Sequence, residues 1–362
     1  MDNPLILEKR GALAEITLNR PQVLNALNDQ MREKIMATLP ELSSDPENYA
    51  LILRSNNPRA FCAGGDVREL TDMARQDPDR AARSVGYEYL MNWTLECFSK
   101  PTVSLIDGMV MGSGVGIALY GTHRVAGAGF KFAMPETAIG LFPDVGVCAK
   151  LAKMPGQMGY YLGLTGRAIG RATAYRLGLV THCIDAEQFS QITSGLEDAD
   201  TVDPLLDDLH RGPARDDEEL AGKIALIEDV FGHATVTEMF DALERQGASG
   251  NAQADWCAEV LRDLRTRSPL SLLVTLRHLN ACRDRQLRDV LIHDYRLAVR
   301  FLQDDDLQEG VRAVLIDKDG APKWRHSSLS DVQPFEVDNY FKSLGADELE
   351  LPERSKMQEI KV

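Results

Sequence analysis

Thr102-Val103-Ser104-Leu105-Ile106-Asp107-Gly108-Met109-Val110-Met111-Gly112-Ser113-Gly114-Val115-Gly116 runs from a short apolar segment straight into a glycine-rich turn. An apolar run of this length, closed by turn residues, reads as a buried strand over 102–106. The glycines then lead into an apolar helix ending near Tyr120, and residues 123–126 read as the next strand. A strand, a crossover helix and another strand make a parallel βαβ unit, which puts the chain in the α/β class.

Upstream, the loosely alternating stretch 5–18 is interrupted by Gly11 and predicts two short antiparallel strands, the second ended by Pro21, which removes a ladder donor. Asn28 is a suitable N-cap for a helix to about residue 42. Residues 50–54 predict a buried strand, broken by Asn56-Asn57-Pro58; Asp66 starts a further helix, and a longer one is expected over about 79–98. From 156 to 183 the pattern gives short helices with one brief strand. The acid-dense stretch 197–219, with Pro204 and Pro213, reads as a mobile surface connection, and helices are expected from 221 to about 304. The expected organisation is an α/β core over 1–190, an acidic connection over 191–220 and a helical C-terminal region with a tail over 221–362.

The 362 residues are 44% hydrophobic and 26% charged, ordinary for a soluble protein. Residues 1–10 mix acids and bases and resemble neither a secretory signal nor a transit peptide, and no apolar run approaches the roughly 20 residues of a membrane span, so a cytoplasmic protein without membrane contact is expected. Six scattered cysteines with no C-x-x-C pair argue for reduced thiols and against a metal site. A net charge of −15 argues against nucleic acid as a partner.

Two glycine runs each follow a strand and precede a helix: Ala60-Phe61-Cys62-Ala63-Gly64-Gly65-Asp66 and Met111-Gly112-Ser113-Gly114-Val115-Gly116. Helix N-termini carry unpaired N–H groups, and glycine admits close backbone approach. Two such ends aimed at one point would form an oxyanion hole. Either run alone fits a tight strand-to-helix turn equally well. Competing motifs fail: Ile117 stands at the last position of a dinucleotide fingerprint, no G-x-x-x-x-G-K-[ST] loop exists, and Ser113 lacks the flanking glycine of a nucleophile elbow.

Glu136 and Asp144 lie in Met134-Pro135-Glu136-Thr137-Ala138-Ile139-Gly140-Leu141-Phe142-Pro143-Asp144-Val145-Gly146, an apolar surrounding that would raise both carboxyl pKa values if buried. Such a pair suits acid–base or nucleophilic chemistry; helix-start and helix-cap roles are the alternative. Cys148 nearby reads as a packed small hydrophobe, with no histidine motif beside it. Asp294 sits on the apolar stripe Leu287, Val290, Leu291, Leu297, Ala298 and Phe301, so a buried partner is expected, an arginine being the natural one.

With these segments in hand, the chain resembles the crotonase (enoyl-CoA hydratase/isomerase) superfamily, and within it the 3-hydroxyisobutyryl-CoA hydrolase branch. Besides the glycine runs and 135–146, the resemblance rests on Ile16-Thr17-Leu18-Asn19-Arg20-Pro21, Leu24-Asn25-Ala26-Leu27 and Gly159-Tyr160-Tyr161-Leu162-Gly163-Leu164-Thr165-Gly166. The branch signature lies in Ser268-Pro269-Leu270-Ser271-Leu272, Asp294-Tyr295-Arg296-Leu297, and Glu309-Gly310-Val311-Arg312-Ala313-Val314-Leu315-Ile316-Asp317-Lys318-Asp319 with Pro322-Lys323-Trp324. The chain departs from the branch at Val147 and Cys148, where further glycines are common.

The resemblance implies a crotonase-like spiral of ββα and βαβ turns with a helical C-terminal region. It implies an oxyanion hole from the amides of Gly65 and Ser113, Glu136 as nucleophile or base, Asp144 as the second acid, and substrate contacts at Ala63, Asp66 and Glu88. The second glutamate of hydratases falls at Gly116, so water addition is disfavoured. The implied activity is hydrolysis of a short 3-hydroxyacyl-CoA, with coenzyme A as part of the substrate, no separate cofactor and a possible homo-oligomer. A hydratase or isomerase, and a non-catalytic acyl-CoA-binding protein, are the alternatives. Basic residues of 309–323 would either cover coenzyme A phosphates or form a solvated tail.

Overall fold

The computed structural model describes residues 3–213 and 220–359, so the part of the acidic connection at 214–219 lies outside the described residues. Among the described residues ten strands form two sheets. The first holds β1 (Leu5–Arg10), β2 (Leu13–Leu18), β3 (Ala50–Ser55), β5 (Thr102–Ile106), β7 (His123–Ala126) and β10 (His182–Cys183), in that order. The second holds β4 (Ala60–Cys62), β6 (Met109–Met111), β8 (Lys131–Ala133) and β9 (Ile169–Gly170). The hairpin β1–β2 is antiparallel, and β2, β3, β5, β7 and β10 run parallel. In the second sheet β4, β6 and β8 are parallel and β9 is antiparallel.

The chain alternates between the sheets: β3 is followed by β4, β5 by β6 and β7 by β8. Each turn of the spiral therefore adds one strand to each sheet. Helix α1 (Asp29–Ser44), capped by the Asn28 side chain, links β2 to β3; α2 (Val67–Gln76) and α3 (Pro78–Cys97) link β4 to β5; α4 (Ser113–Ala118) links β6 to β7. The strands at 50–54, 102–106 and 123–126 and the helices starting at 29, 67 and 78 agree with the sequence reading. The second sheet does not appear there, because three of its strands have three residues and the fourth has two.

The first sheet is covered on both faces, which is why its strands read as continuous apolar runs. Ala14, Ile16, Leu51, Leu53 and Ile106 face the main core; Leu13, Ile52, Val103, Leu105 and Val125 face a smaller one. That smaller core is closed by the helices Phe189–Glu197 and Val202–Leu209, with Leu196, Val202 and Leu206 buried. The expectation of a surface connection from 197 onward is thus corrected: the acids of 202–209 are the outward side of an amphipathic helix whose leucine side packs on the sheet. Two brief strands, one per sheet, stand in 156–183 instead of one.

From residue 224 to 316 the structure is mainly helical, and it folds back on the core. Helix Pro269–Cys282 packs beside 148–165, and helix Leu287–Phe301 lies along α3. Among the described residues no helix is long and apolar enough to cross a membrane.

Candidate active site

The parallel strands β4, β6 and β8 are neighbours in the second sheet, so the loops leaving their C-terminal ends emerge side by side. Those loops are the two glycine runs and the carboxylate segment. Ligand sites form at such strand ends because several loops meet over one edge. A cavity of about 800 Å³ opens there, and Ala63, Gly65, Asp66, Glu88, Ser113, Glu136 and Asp144 all line it. All seven site residues implied by the resemblance therefore line one cavity.

The two glycine runs touch each other, and the second lies against Glu136. A Cβ on Gly65 would stand 2.8 Å from Ser113 Oγ, so the first run touches the start of α4. Gly112, at φ +45°, lies so close that its Cβ would be 2.9 Å from Glu136 Oε1 and 3.5 Å from Gly64 Cα. Only glycine fits both the dihedral and the space. As the first residue of α4, Ser113 has no intrahelical acceptor for its N–H. The Asp66 carboxylate caps α2 by accepting from Glu69 N–H and pairs with Arg20 at 3.1 Å, so it is already engaged.

Glu136 begins a short 3-10 turn, Glu136–Ile139, after Pro135. Its side chain is 6% exposed, and its Oε2 is buried with no hydrogen-bond partner. Burial, and then the nearby Asp144, hold its carboxyl well above the usual range. Asp144 does not cap a helix with its side chain; it accepts a 2.7 Å hydrogen bond from the Tyr89 hydroxyl. Burial, joined by Glu88 and opposed by the Tyr89 donor, pushes it up to about 8. The charge on Asp144 opposes ionisation of Glu136, so the site disfavours two negative charges at once.

Glu88, on α3, is paired with Arg32 of α1 at 2.8 Å, while its Oε1 is buried and unpartnered. Glu88 is only 7% exposed, so it is not a solvated acid on the helix surface. Arg32 also bonds Asp29 and Ser84, at 3.1 Å to the latter. Removing Arg32 would leave Glu88 as an unpaired buried acid, a change that typically costs about 3–5 kcal/mol.

Sequence reasoning passed over Arg32 and Tyr89. An arginine between Met31 and Ile35 on a helix with a buried face was the available sign of a buried acid partner. Tyr89 follows Glu88 directly, and nothing in the sequence links it to a loop 55 residues on. The cover comes from the C-terminal region: Ala298, Leu302, Leu307, Val314, Leu315 and Lys318 complete the cavity wall. Of the basic signature residues, Arg312 is tied to Glu309, Asp317 and Asp319, whereas Lys318 faces the cavity. Cys148 is fully buried, its thiol donating to the Pro143 carbonyl at 3.2 Å and pushed up to about 12 by burial, which suits packing and not attack.

Residues 13–341 match the family model for enoyl-CoA hydratase/isomerase. The chain belongs to the enoyl-CoA hydratase/isomerase family. This family member is 37% identical over 353 residues to the mitochondrial 3-hydroxyisobutyryl-CoA hydrolase of Homo sapiens, covering 95% of this chain and 90% of that protein. Among solved structures it is similar to a carnitinyl-CoA dehydratase from Mycobacterium thermoresistibile (32% identity, TM-score 0.89, 96% and 99% of the two chains). It is also similar to an enoyl-CoA hydratase from Rhodobacter sphaeroides (35% identity, TM-score 0.88, 96% and 100%). The crotonase spiral expected from the sequence is the fold found.

Proposed function

We propose that this protein hydrolyses a short 3-hydroxyacyl-CoA thioester, of the 3-hydroxyisobutyryl-CoA type, to the free acid and coenzyme A. The observation that carries this reading is a buried Glu136 lining one cavity with both glycine-run backbones and with Asp144 as the second acid. Relatives named 3-hydroxyisobutyryl-CoA hydrolase over nearly the whole chain support it.

In this reading the thioester oxygen lies between the N–H groups of Gly65 and Ser113, whose hydrogen bonds strengthen as the carbonyl becomes an oxyanion. Ionised Glu136 either attacks the carbonyl carbon, giving a mixed anhydride that water then cleaves, or takes a proton from a water that attacks directly. The C–S bond breaks and the thiolate leaves with a proton. Protonated Asp144 is placed to supply that proton, because its pKa near 8 keeps it in the acid form at neutral pH. Glu88 Oε1, buried without a donor, is suited to accept from a hydroxyl on the acyl group.

A hydratase or isomerase reading is favoured by the names of the two similar solved structures. Against it stands position 116. A side chain there would begin 2.6 Å from Asn92 Nδ2, so the space for a second glutamate is filled.

The deciding experiment follows free thiol from 3-hydroxyisobutyryl-CoA and 3-hydroxypropionyl-CoA, beside loss of the crotonyl-CoA double-bond absorbance. Thiol release without hydration is expected. Hydration without thiol release would overturn the hydrolase reading in favour of the hydratase, and inactivity in both would leave a binding protein.

A further inference from the structure

The turn that carries Asp144 is held from behind by groups outside the cavity wall. Gly146 N–H donates to Asp294 Oδ2 at 2.6 Å. Asp294 Oδ1 lies 2.6 Å from His278 Nε2, and both side chains are fully buried. The expectation of an arginine partner for Asp294 is thereby corrected: its partners are a histidine from helix Pro269–Cys282 and a loop amide. The His278 ring stands edge-on to Phe142, two residues before Asp144, with centroids 5.5 Å apart. On the other side of the turn, Tyr120 donates to the Val145 carbonyl.

Between these contacts the backbone is left-handed at two successive residues, Val145 at φ 52° and Gly146 at φ 76°. A β-branched residue disfavours that region, so the turn needs outside contacts to keep it. Burying a carboxylate and an imidazole together is costly unless their hydrogen bonds are made. Here their bonds end on the Asp144 turn or on each other, apart from contacts of the His278 ring with the thiols of Cys282 and Cys148.

We propose that His278 and Asp294 are positioning residues for Asp144. The pair fixes the left-handed turn at 145–146 and so sets the direction in which Asp144 presents its carboxyl to Tyr89 and the cavity. The inference rests on the hydrolase reading of that cavity. It gives the helical C-terminal region a part in the chemistry beyond covering the pocket, since Asp294 reaches the turn across 148 residues of sequence.

The test compares Asp294→Asn and the milder Tyr120→Phe with the unmodified protein, using thiol release from 3-hydroxyisobutyryl-CoA as a function of pH. For Asp294→Asn, kcat should fall about 10- to 100-fold while KM changes less than about threefold, as misplacement of one reacting group implies. The pH limb of Asp144 should move down, because a negative charge behind it is removed. Tyr120→Phe should lower kcat in the same sense by a smaller factor. A variant that melts cooperatively yet keeps the original kcat and pH limb overturns the proposal. If Asp294→Asn does not fold, kcat of Tyr120→Phe decides in the same way. Hydrogen exchange at the Gly146 amide, faster in Asp294→Asn, reads the brace without activity. Unmodified protein that releases no thiol would end the hydrolase reading, and unchanged Gly146 protection would separately end this one.

Discussion

The Tyr89 hydroxyl, on the long helix α3, reaches Oδ2 of Asp144 on the loop after β8 at 2.7 Å. This bond joins two cavity walls that the sequence holds far apart. It also opposes burial by stabilising the ionised form of Asp144. Tyr89→Phe should therefore raise the Asp144 pKa further. The alkaline step in the thiol-release profile should move up, with kcat lower by about 10-fold, in line with the roughly 1–3 kcal/mol cost of an unpaired buried acceptor. An unchanged profile would show that this hydroxyl does not tune the acid.

Glu136→Gln keeps the shape of the side chain and removes its charge. Thiol release should drop by about a thousandfold or more with little change in KM, the pattern of an interaction made only in the transition state. In the unmodified protein, Glu136 has to lose its proton to act, and its carboxyl is held well above the usual range by burial and by Asp144. Activity should accordingly rise with pH through and above neutrality, and a plateau reached by pH 5 would contradict this.

Gly112→Ala places a methyl 2.9 Å from Glu136 Oε1 at a backbone φ of +45°. Both the strain and the contact act on the same carboxylate. A fall in kcat of about 100-fold is expected, together with a lower melting temperature. Gly178→Ala, at φ +71° with open space around it, is the control: it should share the backbone strain and keep the activity.

Asp144→Asn should stabilise the protein, and more so at higher pH. The folded-state pKa of Asp144, about 8, is above its value of about 4 in an unfolded chain, so the neutral form is the one the fold prefers. That preference is without cost at pH 4 and becomes a growing penalty as pH rises towards 8. Thermal melts at pH 5 and pH 8.5 should show the gain of the variant over the unmodified protein widening by a few °C. A gain that shrinks with pH would reverse the assigned direction.

The spiral was legible where elements are long or apolar. The run 102–106 is buried on both faces and its polar members, Thr102 and Ser104, are small, and α1 and α3 carry helix signals at Asn28 and at Pro78 after Asp77. Strands of two or three residues carry no periodicity to read, so the second sheet, which aims the three loops, was invisible. The acid-rich helix Val202–Leu209 was misread because Asp203, Pro204, Asp207 and Asp208 mask the short stripe of Val202, Leu205, Leu206 and Leu209 that packs on the sheet. The seven residues of the proposed site were found through glycine runs, carboxylates in apolar surroundings and a family resemblance. Arg32, Tyr89, His278 and Asp294 act through partners 55 or 56 residues off in the first two cases and 16 or 148 in the others, and one sequence holds no record of such pairings.

The cavity draws its floor from residues before 145 and its roof from residues 298–318. A chain emerging from the ribosome therefore exposes both glycine runs and both acids long before anything shields them from water. The cavity does not exist as an enclosed space until the final third of the protein has docked, which makes assembly of the pocket one of the last events in the life of the nascent polypeptide.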